Sequence, residues 1–173
     1  MNIRKELLKE EIHSKKHAIE ITDYALSSEE NFRELIDCFL SKEIRVAQRA
    51  AWSVSWAALK NPEIIQPYIG ALVDQLKRTD VHHAVVRNSL RVLQDLVIPE
   101  QFHGEVMEAG FSFIQKRDTP VAIKAFALTL LFNLSKIYPD IKNELRLIVE
   151  ENMDYETAAY KSRGRKILAK LKV

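Results

Sequence analysis

Trp52 and Trp56 lie four residues apart beside Arg49, so on a helix the two indoles share one face close to a cation. An aromatic pair so placed can stack on a nucleobase or grip an apolar side chain of a peptide. Small neighbours, Ala50, Ala51, Ala57 and Ala58, make two bulky residues unusual here. Trp52 is read as filling the core, and Trp56 is left open between core and surface. His13 and His17 have the i, i+4 spacing of two metal ligands, but only Glu11 and Glu20 stand nearby as a third. A solvated helix face is the preferred reading. Side chains of consecutive residues diverge, so His82-His83 is not read as a metal site. Cys38, the single cysteine, can form no intrachain disulfide and sits in the apolar stretch Leu35–Leu40, where it reads as a small core residue. The GxSxG, HExxH, P-loop and Rossmann fingerprints are all missing. No catalytic residue, cofactor or metal is assigned.

A second set of cations recurs along the chain. Val46-Ala47-Gln48-Arg49, Ala84-Val85-Val86-Arg87, Val121-Ala122-Ile123-Lys124 and Ala158-Ala159-Tyr160-Lys161 align with the basic residue at offsets of 38, 37 and 37. Each is followed ten positions later by an apolar residue: Leu59, Val97, Leu134 and Leu171. Four positions before those stand Ser55, Leu93, Leu130 and Ile167. Such spacing of three and four marks the inward stripe of an amphipathic helix.

The elements that must carry these residues are helices. Between the four basic helices runs a second helical pattern. Pro62, Pro99 and Pro139, each followed by an acid, mark its starts, since proline at a first helical position loses no hydrogen bond. Asn61 and Thr119 read as N-caps. One set of helices is expected near 29–41, 62–78, 99–117 and 139–151, and the other near 43–60, 81–97, 119–137 and 154–172. Residues 1–28 supply a divergent cap of one or two helices. A single domain over 1–173 is expected, with repeats at about 29–60, 62–97, 99–137 and 139–172.

Composition narrows the class. Hydrophobic residues are 47% and charged residues 29%, the balance of a soluble globular chain rather than a disordered one. Net charge is +2, so charge position and not charge total must carry any electrostatic argument. Residues Met1 to Glu11 hold no apolar signal region, and the apolar run Ala125–Phe132 is too short to span a bilayer. A cytoplasmic protein with no membrane partner is expected.

A period near 37 with two helices per unit and a basic residue opening the second helix resembles HEAT repeats. In that family a turn acid precedes the basic residue by about six positions. Here Glu43, Asp80, Asp118 and Asp154 precede Arg49, Arg87, Lys124 and Lys161 by six, seven, six and seven. Arg163 and Gly164 stand where the pattern calls for apolar residues. The resemblance implies an all-α, α-α superhelix of about four to five helix pairs, a HEAT-like solenoid whose second helices line a concave face. Each basic residue is read as pairing with a turn acid, or the acid as capping the helix, in preference to a ladder of free charge.

Over the windows above, the outer helices sum to −6 and the inner helices to +9. Much of the excess is in the last helix, with Lys161, Arg163, Arg165, Lys166, Lys170 and Lys172. The functional expectation is a non-enzymatic scaffold whose concave basic face, lined by Arg49, Trp56, Arg87, Arg91, Lys124, Lys161 and Arg165, holds a protein segment. Nucleic acid is the alternative partner, and oligomeric state is left open. The alternative activity is that of HEAT-like alkylpurine DNA glycosylases, which resemble this chain in a basic, tryptophan-containing groove. For that chemistry the candidate carboxylate is Asp95.

Overall fold

Asn2, Ser14 and Ser28 open the first three helices, each accepting the backbone N–H three residues on, at 2.8, 3.1 and 3.1 Å. Such side-chain oxygens satisfy donors that the helix itself leaves unpaired. The computed structural model describes residues 1–171, in which every regular element is helical. Lys172, the last position of the expected 139–172 repeat, lies outside the described residues. The chain divides into two compact units, Met1–Val92 and the segment from Leu93 onward.

The first unit holds α1 (Ile3–Lys9), α2 (Lys15–Ala25), α3 (Glu29–Phe39), α4 (Ile44–Lys60), α5 (Pro62–Ile65), α6 (Ile69–Lys77) and most of α7 (His83–Leu93). α1 packs on α3 and α2 packs on α4, so the N-terminal residues form a helix pair stacked on the next pair. α4 is covered by both α2 and α3. Its alanines 47, 50, 51, 57 and 58 are all buried, which lets two helices approach it closely. Across the α2–α4 contact, Thr22 and Ser53 are fully buried, and their hydroxyls donate to backbone carbonyls of Ser53 and Ala18.

A continuous outer helix over 62–78 is not what forms. Pro62 does occupy the first position of α5, but Pro67 brings a 3-10 turn at Gln66–Tyr68 that separates α5 from α6. Proline in a helix interior removes a donor and clashes with the preceding turn. Asn61 stands at the cap of α5 without a side-chain bond, and Pro120 rather than Thr119 takes the cap position of α9.

The second unit holds α8 (His103–Gln115), preceded by a 3-10 turn at Glu100–Phe102, then α9 (Val121–Ser135), α10 (Ile141–Asn152) and α11 (Ala158–Leu171). α9 touches α8, α10 and α11, and eight of its residues are buried. Gly164 is explained by packing. A Cβ there would lie 3.1 Å from both Val149 Cγ1 and Met153 Sδ, so α11 sits against α10 with no room for a larger residue.

The inward stripe is read correctly at one set of positions and not at the other. Ser55, Leu93, Leu130 and Ile167 are all buried. Of the residues ten past each cation, Leu134 is buried, but Leu59 is 60% and Val97 86% exposed. α7 ends at Leu93, so Val97 falls beyond the helix and off its inward face.

Candidate functional site

The four helices α4, α7, α9 and α11 contain no aspartate or glutamate, and together they hold eleven lysines and arginines. Acids are instead concentrated on α3, α8 and α10. Burial decides which of these cations reach solvent.

Arg49 and Lys124 do not. Arg49 is 6% exposed, and its guanidinium donates to the carbonyls of Leu7 (2.6 Å), Glu10 (2.7 Å) and Glu11 (2.7 Å) at the end of α1. A cation there satisfies orphan carbonyls and faces the negative end of the helix dipole. Lys124 is 2% exposed, ion-paired to Glu156, and donates to the Arg117 carbonyl at 3.2 Å. Both were expected on the binding face; both use their donors inside the fold, although Arg49 also contributes to the lining of the cleft around Trp52.

The turn acids do not pair as expected either. Glu43 bonds Arg4, Asp80 bonds Arg78 at 2.8–2.9 Å, and Asp118 is exposed with no hydrogen bond among the described residues. The Arg78 bond holds the Asp80 carboxyl below its ordinary range. The basic column is therefore structural in its first and third copies, Arg49 through carbonyls at the end of α1 and Lys124 through Glu156, an acid in the turn of the adjacent repeat.

Arg87 and Arg165 are exposed, and Lys161 is half-buried. Arg87 lines a 680 Å³ cleft with Arg45, Gln48 and Trp52 of α4, Ala84 of α7, and the Glu11–His13 segment. The α4 residues stand at i, i+3 and i+7, so one face of that helix forms the wall. Ile12 and Ile44 give it an apolar lip, at 82% and 57% exposed. Trp52 is thus a half-buried wall residue rather than core, in edge contact with His13 at 5.9 Å between ring centroids. Next along α4, half-buried Trp56 has two cations over its ring, Lys15 at 5.0 Å and Arg91 at 5.2 Å. Its indole Nε1 is buried without a hydrogen-bond partner.

His13 and His17 do not form the solvated helix face expected of them. His17 is 7% exposed, with Nε2 2.8 Å from the Glu6 carbonyl. Both ring nitrogens of His13 are buried and unpartnered. Burial first, and then the charge of Arg49, push its pKa down to about 4. No group of three potential metal ligands occurs among the described residues. Cys38 is buried, and burial pushes its thiol up to about 11, so it is the inert core residue expected. Asp95 is exposed in the turn after α7 and does not line the cleft that contains Trp52.

The second unit has a groove of its own between α9 and α11, 320 Å³ in volume. Thr129, Phe132, Arg163, Lys166, Ile167 and Lys170 line it. Arg163 donates to Thr129 Oγ1, and the ammonium groups of Lys136 and Lys170 stand 4.8 and 5.6 Å from the Phe132 ring centre.

Sequence reading passed over Arg45, Lys15, Ile12 and Phe132. The first was legible in the 45, 48, 52, 56 spacing. Lys15 and Phe132 needed a neighbouring helix to reveal them.

Helix pairs within each unit and a repeat near 37 residues agree with the comparison to known families. The profile for the HEAT repeat domain matches residues 3–171. The chain belongs to this HEAT repeat family. No curated protein and no solved structure matches it. As a HEAT repeat protein it has the architecture of a repeat scaffold for protein interaction. The matched range begins at the first residue of α1 and so includes the N-terminal helix pair. No helix among the described residues is long and apolar enough to cross a membrane.

Proposed function

We propose that this HEAT repeat protein is a non-enzymatic scaffold that holds an acidic, partly apolar segment of a partner protein in the α4–α7 cleft. The observation that carries the reading is the composition of that wall: exposed Arg45 and Arg87, the Trp52 indole, and an isoleucine lip. Cations set orientation and encounter rate, while the aromatic and aliphatic surfaces supply desolvated contact. Trp56 with Arg91 extends the surface along the same helices. Lys161 and Arg165 contribute positive charge in the second unit, whereas Arg49 and Lys124 support the fold. The two units are read as one repeat domain, because the family match runs through both. A reducing compartment such as the cytoplasm suits the single buried thiol. Asp95, the carboxylate expected to serve a glycosylase, is not among the residues that line the cleft.

The test is anisotropy of a fluorescein-labelled peptide alternating glutamate and leucine, titrated with the full chain at rising salt. Affinity should fall as ions screen the arginines. Arg87→Glu/Arg91→Glu should keep its helical circular dichroism, since Leu90 and Leu93 carry the buried stripe, and lose about tenfold or more in affinity. Undiminished binding by that folded variant would refute the cleft as the site.

A further inference from the structure

The groove between α9 and α11 differs in chemistry from the cleft in the first unit. Its lining holds three cations, a hydroxyl, an aromatic ring and a buried isoleucine floor, with no acid and no exposed apolar lip. Two stripes form it. Thr129 and Phe132 stand at i and i+3 on α9, with Lys136 just past its end beside the Phe132 ring, and Arg163, Lys166 and Lys170 stand at i, i+3 and i+7 on α11. The stripes run in parallel register, for Arg163 bonds Thr129 and Lys170 reaches Phe132. At 1.5 Å per residue, the α11 cations span about 10 Å of helix.

Neither helix contains an aspartate or glutamate, and the buried Lys124 is the one basic residue of the pair that Glu156 neutralises. Lys136, Lys166 and Lys170 are exposed. A row of cations without an ion pair among the described residues, beside a half-buried ring, fits a ligand that offers both repeated negative charge and flat π surfaces. An acidic peptide offers the first without the second. A single-stranded nucleic acid offers both, through phosphates that release counterions and bases that stack.

We propose that the second unit binds single-stranded nucleic acid in this groove, one base resting on Phe132 and adjacent phosphates meeting Arg163, Lys166, Lys170 and Lys136. Lys136 and Lys170, now over the ring, would swing to phosphate as a base takes their place. The site shares no residue with the α4–α7 cleft and stands or falls independently of it.

The experiment is anisotropy of a fluorescein-labelled oligothymidylate of about twelve nucleotides with the full chain, at several salt concentrations. The log of the association constant should fall linearly with log salt, with a slope of about −2 to −3 for three to four phosphates. Lys166→Glu/Lys170→Glu, at two exposed positions, should weaken binding by more than tenfold and flatten that slope by about 1 to 1.5. Phe132→Leu, which keeps an apolar side chain, should weaken it roughly 5- to 100-fold with the slope unchanged. Arg87→Glu/Arg91→Glu should bind the oligonucleotide as the wild type does. Polyglutamate of similar length should compete poorly. Absence of binding at low salt overturns the proposal. So does effective competition by polyglutamate with Phe132→Leu unaffected, which would mark the groove as a site for acidic protein. Loss of binding in the Arg87→Glu/Arg91→Glu variant would place the nucleic acid in the other cleft and also overturn it.

Discussion

Replacing Arg49 with methionine should destabilise the fold by about 2–4 kcal/mol, although the residue is charged and belongs to a column that looks exposed in sequence. The guanidinium makes three charge-assisted bonds of 2.6–2.7 Å to the carbonyls of Leu7, Glu10 and Glu11. Leu7 is fully buried, so its carbonyl cannot regain a partner from water, at a cost of about 1–3 kcal/mol. Glu10 and Glu11 are exposed, and their carbonyls rehydrate, which leaves roughly 1 kcal/mol for the lost interaction with the end of α1. Methionine retains most of the aliphatic packing, so burial contributes little. Urea denaturation gives the global figure, and hydrogen exchange should show α1 losing protection first. The control is Arg87→Met. It replaces the same repeat position one unit later, where the side chain is exposed, and should change stability by no more than about 0.5 kcal/mol. Equal effects at the two positions, or a loss below about 1 kcal/mol at Arg49, would refute the helix-end role.

Glu156→Gln should cost about 3–5 kcal/mol by leaving the Lys124 ammonium buried without its counter-charge, and Lys124→Met/Glu156→Leu should recover most of the loss in the same denaturation assay. Asp118→Ala should leave the melting temperature unchanged, the exposed carboxylate having no bond to lose. The folded His13 ring, with a pKa of about 4, refuses a proton that the unfolded chain accepts near 6.5, so acidification should destabilise the fold. The loss develops as pH falls through that window and, discounted for the ring's partial exposure, amounts to about 1–2 kcal/mol. His13→Phe should flatten the stability–pH curve there.

Sequence alone determined the helix-pair repeat, because a 3.6-residue period and a 37-residue recurrence are local and additive properties of the chain. It also determined that the inner helices are basic, and that Leu93, Leu130 and Ile167 face inward. Tertiary structure alone decided what each charge does. Arg49 and Arg87 occupy the same position of successive repeats, yet the first is buried with its guanidinium against the end of α1 and the second is exposed at an open cleft. The difference lies in which carbonyls a neighbouring helix brings within 3 Å, and that depends on packing between residues some forty positions apart. Trp52, Lys15 and Phe132 follow the same rule. A side chain's identity limits the contacts it can make, and the helix laid beside it selects among them.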